Sequence, residues 1–301
     1  MKTDQPSATA YLIAHSTIYL ARDAAVGHLI PAQAAALSEK FVRPGRRAGR
    51  WRQACLDARC SRPLVAALER LTLPGIQLHY ALRKRYLEEI AHTALADDVR
   101  QLIVLGAGFD TLALRLHPSF PAVQFIELDH PATQARKIVG AAAIHARRDN
   151  LHFLPLDLTR QTLTDVLLTS AHYDPRADTL FIAEGLLMYL APDELDQVFE
   201  FVRRNCGARS LFAFTFMEPR RDGRIGFRRA SRAVDAWLRF RGEPFKWAVR
   251  RADLARFLAP RGFTARAITT PEDFRRRYLT TAQLMRRPLA EGECVCVARC
   301  A

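Results

Sequence analysis

Gln101-Leu102-Ile103-Val104-Leu105-Gly106-Ala107-Gly108-Phe109-Asp110-Thr111 is the stretch on which the fold of this chain turns. Its first five residues, mostly branched and apolar, predict a short strand buried on both faces. Gly106 and Gly108 follow at once, and Leu112-Ala113-Leu114-Arg115-Leu116 restarts with helix formers. Strand, glycine turn and helix in that order make a shelf for a ligand. Glycine lets the chain turn sharply and lets a ligand lie against bare main chain. The helix behind the turn presents unpaired N–H groups and its positive dipole end. A dinucleotide site needs a third glycine where Thr111 stands, so the dinucleotide fingerprint fails.

Downstream, Ala122 to Glu127 predicts a second strand, which runs into Leu128-Asp129-His130-Pro131 with Pro131 at the first turn of a helix. Glu127 and Asp129 both stand where a carboxylate can accept hydrogen bonds from two ribose hydroxyls. A third strand, Leu151 to Leu154, leads to Asp157 and Leu158, again at a carboxyl end. Thr179 to Ala183 is an almost purely apolar fourth strand that stops at Glu184. A carboxylate ending a buried central strand faces the crevice, which makes Glu184 the best candidate for gripping an ammonium. A helix from Pro192 to about Asn205, a fifth strand from Ser210 to Phe216, and closing strands at Gly262–Ile268 and Glu293–Arg299 complete the pattern. Between them, Glu218 to Arg241 is too long for an ordinary connection and predicts an insertion covering the site, helical from Ala230 to Phe240.

Upstream of the glycine turn the periodicity is helical: Thr9 to Arg22, Ala32 to Phe41, and from Trp51 to Leu71 with a break at Pro63. Arg43 to Arg50 reads as a basic surface loop. The helix from Ile76 to Ala96 carries one apolar stripe of Ile76, Tyr80, Leu87, Ile90 and Ala94, and Arg83 falls on it. A buried guanidinium needs an anionic partner; an arginine at the stripe's margin reaches out to water instead. The spacing alone is compatible with either.

At 301 residues, with 49% hydrophobic and 25% charged residues, the chain is an ordinary globular one of one large domain or two modest ones. Its net charge of +14 is carried mostly by arginines scattered along the chain, densest at Arg43–Arg52, Arg220–Arg232 and Arg275–Arg277. Without a lysine run or interleaved aromatics, nucleic acid is not the expected partner. The cysteines Cys55, Cys60, Cys206, Cys294, Cys296 and Cys300 form no C-x-x-C pair and have no histidine at finger spacing, so no metal is expected. Cys294 and Cys296 would share one face of a strand. No signal segment or membrane-length apolar run is evident, and the expectation is a soluble cytoplasmic chain.

Four strand-end motifs fall in one order: Gly106-Ala-Gly108-Phe-Asp110-Thr111, Glu127-Leu-Asp129-His-Pro131, Leu156-Asp157-Leu158, and Ala183-Glu184-Gly185-Leu-Leu-Met-Tyr189. Together they resemble the leucine carboxyl methyltransferase family, including its bacterial branch of polyketide and other natural-product O-methyltransferases. The resemblance is strongest from Tyr80 to Leu190. It implies an α/β class I methyltransferase fold, Rossmann-like, with a seven-stranded, mostly parallel sheet and an antiparallel final hairpin. Residues 1–97 would form a helical extension, 98–301 the core, and about 218–245 a lid. The implied cofactor is S-adenosyl-L-methionine. Arg83 would pair its carboxylate, Gly106 and Gly108 approach the methionine and ribose, and Asp129 hold the ribose. Asp157 and Leu158 would meet the adenine, and Glu184 the amino group.

The acceptor does not carry over with the family. A small molecule or a carboxylate is expected; the alternatives are a nucleic acid or nucleoprotein met through the basic surface, or a non-catalytic cofactor-binding protein. Methyl transfer from a sulfonium needs mainly proximity and alignment, and only a phenol or enol benefits from a general base. Tyr189, little more than a helical turn past Glu184, is the expected wall of the reaction site, with a core aromatic as the alternative. His15, Tyr19 and His130 are weaker candidates. Oligomeric state is not legible.

Overall fold

A computed structural model of the chain describes residues 5–42, 62–142 and 149–300. The Arg43–Arg52 cluster, the helix start at Trp51, and Cys55 and Cys60 lie outside the described residues. The described strands are β1 (Gln101–Leu105), β2 (Gln124–Asp129), β3 (Leu151–Pro155), β4 (Thr179–Ala183), β5 (Leu211–Met217), β6 (Phe263–Thr269) and β7 (Glu293–Cys300). They form one sheet of order β3-β2-β1-β4-β5-β7-β6. Pairs from β3 to β5 are parallel, and β7 runs antiparallel to both β5 and β6. This is the sheet that the resemblance implies.

The chain leaves β1 toward β2 and β3 on one side and returns as β4 on the other. The crevice therefore opens at the carboxyl ends of β1 and β4, the usual ligand position in such sheets. Both strands are buried along their whole length, as parallel strands covered on two faces must be. Side-chain alternation divides β1 between two cores. Leu102 and Val104 join the N-terminal helices, whereas Ile103 and Leu105 join Phe199, Phe212 and Phe214 on the opposite face.

Helices α1 (Ala8–Ala21), α2 (Ala32–Val42), α3 (Arg62–Thr72) and α4 (Ile76–Ala96) precede the sheet. Between and after the strands come α5 (Leu112–Leu116), α6 (Pro131–Ala142), α7 (Leu163–Leu167), α8 (Pro192–Arg204), α9 (Arg232–Arg241), α10 (Arg251–Leu258), α11 (Pro271–Tyr278) and α12 (Ala282–Met285). α8 shows why these boundaries hold. Pro192 stands at its start, the Glu194 carboxylate accepts a hydrogen bond from Ala191 N at 2.6 Å, and Arg203 and Arg204 complete the last turn.

Three departures from the sequence reading bear on the site. β2 begins and ends two residues later than Ala122–Glu127, so Glu127 lies inside the strand and Asp129 ends it. α5 is only five residues long, so a helix dipole adds little behind the glycine turn. α4 is buried on all sides from Ile76 to Arg83, not along one stripe, and Ile90 on the expected stripe is only half-buried. Cys294 and Cys296 do share a buried face of β7. No helix among the described residues is long and apolar enough to cross a membrane. Nor does any group of three or more His, Cys, Asp or Glu among them have the arrangement to hold a metal.

Candidate active site

A cavity of about 210 Å³ opens at the carboxyl ends of β1, β2, β3 and β4. Gly106, Gly108, Asp129, Asp157, Leu158 and Glu184 all line it, together with Arg83 and Tyr189. Gly106 and Gly108 hold φ of 65° and 50°, in the region that disfavours side chains. A Cβ on Gly106 would stand 2.9 Å from Leu186 Cδ1, and one on Gly108 would stand 3.3 Å from Ala10 Cβ. The bare turn is therefore pressed between the β4 loop and α1, which roofs the cavity.

Asp129 accepts hydrogen bonds from Gly108 N and, at 2.6 Å, from His130 N. It fixes the glycine turn from the neighbouring strand while burial raises its pKa. Asp157 faces the same cavity; burial raises its pKa, but hydrogen bonds from the Thr159 hydroxyl and N–H overcome this and hold it below the usual range. His130 Nε2 lies 3.7 Å from Asp157 Oδ2. Glu127, the other ribose candidate, does not line the cavity. Its carboxylate is fully buried 2.5 Å from Lys137 Nζ of α6, and burial pushes its pKa up to about 7. Position in the strand thus separates the two acids.

Arg83 is neither marginal nor alone. Its Nε donates to Glu184 Oε1 at 2.8 Å, and its Nη1 donates to Glu293 Oε2 at 2.7 Å. His79 Nε2 lies 2.8 Å from that same Glu293 oxygen, and Lys84 Nζ bridges Asp110 Oδ1 and Glu184 Oε2 at 2.8 Å each. The result is a continuous chain of ionic groups along α4, from β7 to the glycine turn. Burial would raise the Asp110 pKa, but Lys84 and Lys137 hold it well below the carboxylate range. Two cations, Arg83 and Lys84, face three carboxylates, so the chain carries no excess positive charge.

A second cavity of about 610 Å³ adjoins the first under α1, α3 and α9, and Thr9, Ile13, Arg83, Gly185 and Tyr189 line both. Tyr189 packs against Phe245 with ring centroids 5.2 Å apart, and burial pushes its phenol pKa up. Thr9, which lines both cavities with it, donates its hydroxyl to Glu243 Oε2. Glu243 also accepts from the N–H groups of Ala8 and Thr9 at 3.1 and 3.2 Å, capping α1 from the end of α9.

With that geometry in place, comparison with known proteins identifies its relatives. A family model, leucine carboxyl methyltransferase, matches residues 7–203. The chain belongs to the leucine carboxyl methyltransferase family. A Mycolicibacterium smegmatis protein named "Putative S-adenosyl-L-methionine-dependent methyltransferase" is 27% identical over 230 residues, covering 71% of this chain and 67% of that one. A protein of the same name from Mycolicibacterium paratuberculosis is 32% identical over 160 residues, covering 53% and 52%. Of several further bacterial relatives the chain spans only 34% to 48% of the length. A crystal structure titled as a putative methyltransferase from Thermobifida fusca superposes with a TM-score of 0.57 at 13% identity, covering 99% of this chain and 96% of that one, a likeness of fold.

For this family member the residues at the four strand ends converge on one cavity. Lys84, Glu243 and Glu293 are the participants that sequence reasoning missed. Lys84 had a signal, since it neighbours Arg83 on a helix turned toward Asp110. Glu293 offers a direct check. Burial raises its pKa, but Arg83 and then His79 overcome this and bring it from 4.5 down to about 2. As pH falls, the unfolded chain takes up this proton first. The stability is therefore present above pH 4.5 and lost as pH falls toward 2, a change of about 3 kcal/mol. Glu293→Gln should remove most of that acid limb, read by urea unfolding at pH 7 and pH 3; an unchanged difference would contradict the assignment.

Proposed function

We propose that the smaller cavity binds S-adenosyl-L-methionine and that the chain transfers its methyl group to an oxygen of a small molecule, as in the natural-product branch of the family. One observation carries this reading. Carboxylates at the ends of β2, β3 and β4 surround a bare glycine turn in a cavity without excess positive charge. When bound, this cofactor supplies an activated methyl on a sulfonium and carries a net positive charge. Asp129 is the acceptor for its ribose hydroxyls, Asp157 and Leu158 border the adenine, and Glu184 takes its ammonium. Arg83 and Lys84 stand beside Glu184 for its carboxylate.

The chain's own residues also offer a route for a proton. Tyr189 and Thr9 line both cavities, and the Thr9 hydroxyl donates to the Glu243 carboxylate. An acceptor hydroxyl beside Thr9 would lose its proton through the Thr9 hydroxyl to Glu243. Burial raises the Tyr189 phenol pKa and keeps it neutral, so it positions the acceptor and does not act as the base. The segment 218–250 closes over this region, its Lys246 N bonded to Met188 O at 2.7 Å and its Val249 N to Met217 O at 2.9 Å. We read it as the lid. Three of its arginines are engaged locally: Arg220 and Arg224 with Asp235, and Arg228 with Glu218 and Glu291.

Calorimetry should show binding of S-adenosylmethionine or its demethylated product and none of NAD; the reverse result would overturn the cofactor assignment. Labelled methyl turnover in an extract of the producing cell, with mass identification of the product, tests transfer to oxygen. Asp129→Ala and Asp157→Ala should each weaken cofactor binding by about 1.5–3 kcal/mol while the fold survives. The Asp129 variant should lose more, because it also frees the Gly108 and His130 N–H groups. Unchanged affinity in both would mean that the ribose and adenine lie elsewhere.

A further inference from the structure

We infer that Cys206 and Cys300 form a site of reversible oxidation, where a hydroperoxide joins the two thiols in a disulfide that staples β7 to the turn after α8. Their sulfurs lie 3.6 Å apart although the residues are 94 positions apart in the chain. Both side chains are half-buried, so a small oxidant reaches them from solvent, whereas Cys294 and Cys296 are buried. Alternation along β7 puts Cys300 on the face of Cys294 and Cys296, but at the rim of the core. The backbone on both sides of the pair is fixed. Next to Cys206, Asn205 N donates to Phe201 O and Gly207 N to Ala177 O, each at 3.0 Å. Cys300 pairs with Phe263 of β6, and Arg299 Nη2 donates to Ala208 O at 3.2 Å, which ties the end of β7 to the same turn. A disulfide needs the sulfurs to close by about 1.5 Å, within the reach of side-chain rotation.

The two thiols take unequal roles. The Cys300 S–H, donating to the Cys206 sulfur, outweighs burial and, with the Ser210 hydroxyl, brings Cys206 from 9.0 down to about 7; the Asp178 carboxylate opposes this. The same hydrogen bond, then burial, push the Cys300 thiol up against the pull of Arg203 and Arg299. Burial pushes Cys294 and Cys296 up to about 12. The thiolate is the reacting form of cysteine, so Cys206 is the nucleophile at neutral pH. Its sulfur attacks one peroxide oxygen: the S–O bond forms, the O–O bond breaks, and the departing hydroxide takes up the proton that Cys206 has shed. Cys206 is then a sulfenic acid. The Cys300 sulfur attacks the Cys206 sulfur, forming the S–S bond as the S–O bond breaks, and the second hydroxide leaves as water with the Cys300 proton. Two thiols are oxidised to one disulfide, and hydrogen peroxide is reduced to two waters.

The test uses the full chain, first reduced and then treated with hydrogen peroxide at neutral pH, with remaining thiols blocked before digestion. Peptide mapping by mass spectrometry should find Cys206 joined to Cys300, and dithiothreitol should release the two peptides. The oxidised protein should melt about 5 °C above the reduced one, because the link closes a long loop in the unfolded chain. In Cys300→Ser the serine hydroxyl still donates to Cys206 but cannot displace the sulfenic acid. That variant should show no rise in melting temperature after peroxide, and dimedone should label its Cys206 roughly tenfold more than in wild type. The inference is overturned if Cys206 stays unmodified, or joins Cys55, Cys60 or a second copy of the chain. Oxidation of Cys206 to the sulfinic acid without a cross-link, or a Cys206–Cys300 link that leaves the melting temperature unmoved, would overturn it as well.

Discussion

Arg83→Met should unfold about 3–5 kcal/mol more easily than the wild-type chain in the absence of any cofactor. The guanidinium is 3% exposed and lies between Glu184 and Glu293, which are 9% and 1% exposed. Methionine matches the stem but leaves both carboxylates without their main cation. Lys84 still reaches Glu184 and His79 still reaches Glu293, so the loss stays below that of two bare anions. An arginine kept only for a ligand would behave in the opposite way, because its removal would relieve the apo protein of a buried charge. Urea unfolding at pH 7.5 separates the cases. The same titration with S-adenosylhomocysteine present should show a further loss, since Glu184 is then no longer held in place for the ammonium. A midpoint unmoved in the apo variant would show that the Arg83 pairs contribute nothing to the fold.

The parts of this architecture that local sequence specifies were readable from the chain alone. β1 and β4 carry unbroken apolar runs because both their faces are covered, and their limits coincide with the expected Gln101–Leu105 and Thr179–Ala183. The glycine turn and the acids at 129, 157 and 184 were legible for the same reason: each is punctuation at the end of a strand. β2 was read two residues early because Pro121-Ala122-Val123 looks like a strand entry, whereas Val123 N is tied back to Phe120 O in a turn. That shift is why Glu127 and Asp129 looked equivalent. The remaining site residues are joined by tertiary contact alone. Glu293 meets Arg83 across 210 residues, and Glu243 meets Ala8 across 235, and neither pairing leaves a trace in spacing or composition. Arg83 was the one residue whose sequence context demanded a distant partner without naming it.

Glu243→Ala should loosen the roof of the site without unfolding the protein. α1 begins with three N–H groups that no carbonyl inside the helix can satisfy. Ser7 Oγ takes that of Ala10 at 3.1 Å, and the Glu243 carboxylate takes those of Ala8 and Thr9. A carboxylate at a helix start also opposes the positive end of the helix dipole. Loss of such a cap costs about 0.5–2 kcal/mol, small against global stability but large for a helix that can open locally. Amide hydrogen exchange in residues 8–21 should therefore quicken by about tenfold, while exchange in β1 and β4 stays unchanged. Cofactor affinity should fall by a similar factor, because Ala10 presses on the Gly108 turn from this helix. Glu243→Gln distinguishes the structural role from the chemical one. Its amide oxygen still accepts a hydrogen bond from α1, but it cannot take a proton at neutral pH. That variant should hold the helix nearly as well as wild type yet lower labelled methyl transfer to a hydroxyl acceptor by about 100-fold. Equal transfer in Glu243→Gln and wild type would remove Glu243 from the proton route and leave it as the cap of α1.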